Sequence, residues 1–143
     1  IGTTTPFQFV GGPQFDGDKL TKELNSYNLP GVKFLQKYYM AMTYENPKEG
    51  ADRKITLCNG TFIVIRDRNI VRPVEIQFHI MEVVNKLFYD KVNFEHTDDG
   101  RSRMCTDEIC DTLVKKESII PINEKWKIGA KEFEKQRKPY LIY

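Results

Sequence analysis

A chain of 143 residues, 40% of them hydrophobic, is long enough for one well-cored domain and too short for two ordinary ones. Its 22 Lys and Arg stand against 20 Asp and Glu, and a net charge of +2 offers no general field for nucleic acid or an anionic membrane. No apolar run approaches the roughly 20 residues that span a bilayer, so neither membrane nor nucleic acid is expected as a partner. The compartment stays open, because the first residues carry no export pattern and a signal on an upstream part would be compatible with this sequence. Cys58, Cys105 and Cys110 are too few and odd in number for a disulfide framework, and His79 and His96 lack metal-ligand spacing. No metal and no cofactor are expected.

In chain order, Ile1 to Pro13 is a run of small, hydroxyl-bearing and turn-forming residues without an initiator Met. It reads as a loop in the middle of a longer protein that presents N–H groups and hydroxyls to something polar. Phe7 and Phe9 are expected to anchor it to the core. Asp16 then caps a short amphipathic helix carrying Leu20, Leu24 and Tyr27 at helical spacing, stopped by Asn28-Leu29-Pro30-Gly31. Val32 to Tyr44, rich in aromatic and β-compatible residues, reads as a strand, and Glu45 to Arg53 as a polar loop.

Lys54 to Cys58 and Thr61 to Asp67 flank Asn59-Gly60, a pair that tolerates the positive φ of a type I′ turn; two strands joined by a hairpin are expected. Asn59-Gly60-Thr61 also matches the glycosylation sequon, but backbone geometry accounts for the Asn-Gly. Pro73 opens a helix to Tyr89 with apolar residues on more than one stripe, which predicts a largely buried element holding His79 as a structural residue. Lys91 to Arg103 reads as a loop around Phe94. Thr106 caps a helix through Lys116 with Ile109, Cys110 and Leu113 inward. Pro121 opens the last helix, whose face carries Ile122, Trp126, Ala130, Phe133 and Arg137. Tyr140 to Tyr143 is a short apolar strand or docking tail.

This order fits an α+β fold, a small mixed or antiparallel sheet covered by helices, in a single domain over residues 1–143. One contiguous core is expected to hold Phe34, Ile63, Val64, Ile80, Val84, Leu87, Trp126 and Phe133. No strand leads into a Gly-x-Gly-x-x-Gly turn, and there is no Gly-x-Ser-x-Gly elbow or phosphate loop, so nucleotide binding and serine-nucleophile chemistry lack their signatures.

Several motifs recur in one order: Gly2-Thr3 leading to Pro6-Phe7, then Gly12-Pro13, Leu29-Pro30-Gly31-Val32, Cys58-x-Gly60, Asp67-Arg68, Thr106-Asp107, and the closing Phe133-x-x-x-Arg137-x-x-Tyr140-Leu141-Ile142-Tyr143. Together they resemble the C-terminal domain of the bacterial exo-β-N-acetylmuramidases of the NamZ type, glycoside hydrolases that trim peptidoglycan fragments. The resemblance implies that an N-terminal Rossmann-like domain, not within this chain, carries the catalytic acid. The domain seen here would complete the cleft for a terminal N-acetylmuramic acid. Its partner is then that missing domain or another chain, and its substrate an amino sugar.

Glycoside hydrolysis needs an acid for the leaving oxygen and a second carboxylate or a substrate amide beside the oxocarbenium-like centre. The acidic residues here lie on polar faces and loops, so no catalytic residue is assigned within this chain. Gly2, Thr3 and Thr4 are the candidates for substrate contact, since N–H groups and hydroxyls hold sugar hydroxyls, a lactyl carboxylate or an acetamido oxygen. Asp67, closing a hydrophobic strand, is either a further site group or a turn-forming residue. Two departures from the family pattern are Ile1, where an Arg able to pair with the muramyl carboxylate stands, and Cys105 in place of a Gly. Ile1 and the lack of an evident acid pair keep a second reading open, a non-catalytic structural or interaction module derived from that family.

Overall fold

The computed structural model describes residues 3, 5–44, 53–92 and 106–142. Gly2, Thr4, the connection 45–52, the stretch with Phe94 and Cys105, and Tyr143 lie outside the described residues. The described chain is α+β: β1 (Phe9–Gly12), α1 (Gly17–Ser26), β2 (Val32–Tyr44), β3 (Arg53–Ile65), α2 (Pro73–Phe88), α3 (Asp107–Val114) and α4 (Ile120–Arg137). Single 3₁₀ turns follow at Tyr89–Lys91 and Lys138–Tyr140. Two compact parts are distinguished, Ile1–Ile76 and Gln77–Tyr143.

In the first part the three strands form an antiparallel sheet in the order β1-β3-β2. Asp16 starts α1 as its short carboxylate dictates, accepting from Lys19 N at 3.1 Å, and that hydrogen bond holds its carboxyl below the usual carboxylate range. Leu20 and Leu24, one turn apart, are buried with Phe34 of β2. Asn25 joins helix to sheet: its Nδ2 donates to Phe34 O at 2.9 Å, and its Oδ1 accepts from Phe34 N at 3.2 Å. One side chain thus satisfies both outward-facing backbone groups of an edge-strand residue. Asn28, at φ 49°, ends the helix in the left-handed conformation that Asn tolerates.

The Asn59-Gly60 hairpin expected from the sequence does not form. The hairpin joins β2 to β3, with Tyr44 opposite Arg53, and Asn59-Gly60 lies inside β3, opposite Tyr38 and Lys37 on one side and Gly12 and Gly11 on the other. Glycine is needed there for close approach. A Cβ on Gly60 would strike Val10 O and approach Gly11 Cα to 2.8 Å, both backbone atoms that cannot swing aside. Facing Gly11 requires the same absence, since its own Cβ would run into Asn59 O. The sequon is therefore part of a central strand, with Thr61 fully buried and its hydroxyl donating to Leu35 O at 3.4 Å.

In the second part Phe78, Ile109, Leu113, Ile119 and Ile122 form a buried cluster with Met81 packed against it. Thr106 caps α3, its Oγ1 accepting from Glu108 N at 3.2 Å, and Lys116 at φ 59° ends it. The N-cap residue of α4, Ile119, has no hydroxyl to offer. Glu82 of α2 takes over the role, its Oε2 accepting from Ile119 N at 2.9 Å. Helix α2 is buried on more than one stripe, as its apolar pattern implies, with Phe78, His79, Ile80, Val83, Val84 and Phe88 all inside.

The predicted core needs correction at its C-terminal end. Phe34, Ile80 and Val84 are buried and Ile63, Val64 and Leu87 half-buried, but Trp126 is 37% and Phe133 62% exposed. An 18-residue helix runs about 27 Å, and the buried cluster engages only its first turn through Ile119 and Ile122. Trp126 retains an edge-to-face contact with Phe78, ring centroids 5.2 Å apart. Beyond it the apolar stripe of α4 lies open. Tyr140 to Ile142 form a turn and exposed chain, not a strand.

Candidate functional site

The first strand is short, yet it organises the most distinctive surface of the first part. Phe9 stands opposite Phe62 in the ladder, and its ring stacks on Tyr39 with centroids 4.2 Å apart and 25° between planes. Phe62 tilts against it at 4.9 Å. Tyr39 in turn stands opposite Cys58. Alternation along the strands puts all four side chains on one face of the sheet, because facing residues of antiparallel strands share a side.

A cleft of about 290 Å³ opens over this aromatic floor, lined by Thr3, Phe7, Phe9, Gly12, Tyr39 and Cys58 among others. The chain before β1 reverses between Thr5 and Gln8, with Gln8 N donating to Thr5 O at 3.4 Å, and this turn brings Thr3 back over the strands. Phe7 sits in the turn at φ 66°, a conformation costly for a bulky side chain, and is 98% exposed. It does not anchor the opening segment to the core; Phe9 alone does. A side chain held in a disfavoured backbone state with no packing in return is a feature of functional surfaces.

Burial is the main electrostatic influence in the cleft. It pushes the Tyr39 phenol up to about 12, with a smaller contribution from Cys58, and it pushes the Cys58 thiol up as well. Both groups are neutral at physiological pH. Tyr39 can therefore act as a hydrogen-bond donor and acceptor, and the Cys58 thiol, turned to Thr56 O at 3.6 Å, is not a thiolate nucleophile.

Of the residues singled out from the sequence, Thr3 lines this cleft, and Gly2 and Thr4 lie outside the described residues. Asp67 is elsewhere. Its carboxylate accepts from Asn69 N at 2.8 Å, its N donates to Gly31 O at 3.2 Å, and its O accepts from Val71 N at 3.2 Å, the pattern of a turn built around an Asp. From Cys58 to Ile65 is seven strand steps, about 23 Å, and Asp67 is two residues further on. Thr3 thus stands beside the middle of β3, and Asp67 lies beyond its C-terminal end. Sequence reasoning missed Phe9, Tyr39 and Cys58 as a group because their meeting depends on strand register. The strand pattern of Val32 to Tyr44 sets Tyr39 on the face opposite Phe34 and Tyr38, but nothing local to it shows that Phe9 and Cys58 share that face.

A second cleft, about 510 Å³, lies in the other part, lined by residues that include Glu82, Asn85, Tyr89, Lys116 and Glu117. Its elements are largely committed to structure: Glu82 caps α4, Tyr89 Oη donates to Val114 O at 3.0 Å, and Lys116 Nζ lies 4.0 Å over the Tyr89 ring. Among the described residues no three His, Cys, Asp or Glu side chains gather as a metal site would require, and no helix is long and apolar enough to cross a membrane.

Comparison with known proteins agrees with the motif order. The peptidoglycan β-N-acetylmuramidase NamZ of Bacillus subtilis (strain 168) is 27% identical over 142 residues, which cover 99% of this chain and 33% of that protein. The crystal structure of a DUF1343 family protein from Bacteroides fragilis NCTC 9343 superposes with a TM-score of 0.79 at 26% identity, covering 99% of this chain and 36% of that one. The chain thus spans about a third of the length of these relatives. Residues 1–143 match from end to end the family described as exo-β-N-acetylmuramidase NamZ, C-terminal, and the chain belongs to that family.

Proposed function

We propose that this chain is the C-terminal part of a glycosidase that releases terminal N-acetylmuramic acid from peptidoglycan fragments, and that it completes a substrate cleft whose catalytic acid lies in a preceding domain. The observation that carries this reading is the Thr3-lined cleft over Phe9 and Tyr39 in a chain that matches the NamZ C-terminal family throughout. An aromatic floor with a hydroxyl and backbone N–H groups at its rim suits a sugar ring, whose faces are apolar and whose edge is polar. Thr3 supplies the polar rim, and Gly2 and Thr4, its neighbours in sequence, are the further candidates for substrate contact. Asp67, whose carboxylate is engaged by Asn69 N, forms a turn in this reading and lies outside the cleft.

The test is substitution of Thr3→Ala together with Thr4→Ala, followed by binding of an N-acetylmuramide and by thermal unfolding. Affinity should fall while the midpoint stays nearly unchanged; a lowered midpoint with affinity per folded molecule intact makes the segment structural and removes the proposed site. The chain by itself should give no turnover of a chromogenic N-acetylmuramide, since loss of a general acid alone forfeits about 10²–10⁴-fold in rate. A second reading, a non-catalytic module of the same family, is favoured by Ile1 where the family carries Arg. It predicts binding of a partner domain without any N-acetylmuramide release when that domain is supplied.

A further inference from the structure

The turn that leads into β1 holds a phenylalanine where its geometry favours glycine. Gln8 N donates to Thr5 O at 3.4 Å, so Thr5-Pro6-Phe7-Gln8 is a four-residue reversal with Pro6 second and Phe7 third. Proline suits the second position, because its ring fixes the φ needed there. The third position has a φ of 66°, and a positive φ at that place ordinarily calls for glycine or asparagine. Glycine would close this turn with no Cβ to crowd the backbone. Phe7 closes it under strain and, at 98% exposed, gains nothing from packing among the described residues.

Phe7 nevertheless lines the same cleft as Thr3, Phe9 and Tyr39. Phe9 and Tyr39 are half-buried and stacked on one another at the floor, whereas Phe7 stands almost wholly in solvent, which puts its ring at the mouth. The cleft holds about 290 Å³, at the lower end of the roughly 300–1,000 Å³ of small-molecule sites, which is room for one sugar ring and not for two. A glycan whose terminal ring fills it must leave through the mouth. Its next ring then lies where an exposed aromatic side chain can meet an apolar sugar face.

We propose that Phe7 is a specificity-determining residue that stacks on the second sugar of the fragment, the one to which the terminal N-acetylmuramic acid is joined. This rests on the reading that the cleft takes that terminal unit. Contact at the mouth distinguishes a fragment of two or more sugars from a free monosaccharide, so the glycosidase holds its substrate better than the N-acetylmuramic acid it releases. The strained turn serves this contact by aiming the ring away from the sheet.

The experiment compares Phe7→Gly and Phe7→Trp with the unsubstituted protein, all at full length, on two ligands. One is a disaccharide in which N-acetylmuramic acid precedes a second amino sugar, read as kcat/KM. The other is free N-acetylmuramic acid, read as a competitive inhibition constant. Phe7→Gly should lower kcat/KM for the disaccharide about ten-fold, the worth of one stacked ring, and shift the inhibition constant by no more than about two-fold. Phe7→Trp, which keeps an aromatic face, should stay within about three-fold of the unsubstituted protein on both. Because glycine accepts the positive φ, the thermal midpoint of Phe7→Gly should not fall. A midpoint several degrees lower would mean that Phe7 packs against another part of the protein, and it overturns the proposal. Unchanged kcat/KM overturns it as well, and so do equal losses on both ligands, which assign Phe7 to the first ring. In each of these cases release of N-acetylmuramic acid by the unsubstituted protein leaves the glycosidase reading standing. No release by the unsubstituted protein refutes that reading, and the proposal falls with it.

Discussion

The two halves of β3 have similar apolar content and differ in what covers them. From Asn59 to Ile63 the strand lies between β2 and β1 with its leading residue Gln8, with α1 against the sheet, and there Thr61 is fully buried and Gly60 is pressed against Gly11. From Arg53 to Cys58 it has β2 alone, and Ile55 and Leu57 stand in solvent. Residue type does not separate the halves, since Ile63 of the inner half and Ile55 of the outer one are the same amino acid on the same face of one strand. Neighbours separate them. Burial in a sheet belongs to its surroundings, and a β-branched residue that alternates correctly can still lack anything to pack against.

The largest effect that would test this contrast is at Gly60. Gly60→Val should cost about 4 kcal/mol or more and leave little folded protein in urea titration, because the added atoms meet Val10 O and the Gly11 backbone. A mild loss would show that β1 can move away and that the inner half is less enclosed than described. Next comes a matched pair of truncations. Phe34→Ala, at a position 2% exposed, should lose about 3–5 kcal/mol, whereas Leu57→Ala in the isolated chain should change stability by no more than about 0.5 kcal/mol. Equal losses would erase the distinction between inner and outer halves.

The smallest effect is in the pH dependence, and it probes the opposite face of the sheet. Tyr39 is raised to about 12 in the folded chain by burial, against an ordinary phenol near 10. The folded state therefore holds this proton where the unfolded chain releases it. The associated stability is fully present below about pH 10 and is lost as pH rises from there through about 12. Phenolate absorbance should show one tyrosine ionising later than the rest, and Tyr39→Phe should remove that late step. Simultaneous ionisation of all tyrosines while the chain remains folded would mean that the Phe9–Tyr39 stack is open to water.

Much of this fold was legible because its signals are local. Asp16 and Thr106 cap the helices their positions announce, Pro73 and Pro121 sit in first turns, and Leu20 and Leu24 are buried as their spacing requires. The illegible features depend on residues far apart in the chain. Asn59-Gly60 carries a strong local turn preference, but that preference yields to a strand that needs a glycine where two backbones meet. The stripe Trp126–Phe133 has helical periodicity, and periodicity says which face is apolar without saying that anything covers it. At the site, Thr3 was accessible to reasoning from its hydroxyl and its motif. The aromatic floor beneath it was not, because Phe9 and Tyr39 lie thirty residues apart and meet through β3, the strand between them.

The central position of Asn59-Gly60 has a consequence for how the protein ages. An asparagine followed by glycine readily loses its side-chain ammonia, because the next backbone nitrogen attacks the amide carbonyl and closes a succinimide ring, a reaction that needs a flexible backbone. In the folded chain Asn59 Oδ1 accepts from Gln36 Nε2 at 2.9 Å, and Gly60 is held in the ladder opposite Lys37. The attacking geometry is out of reach while the strand is closed. Deamidation at this residue then accumulates in proportion to the time the first part spends unfolded, so the isoaspartate content of stored protein becomes a cumulative record of opening events.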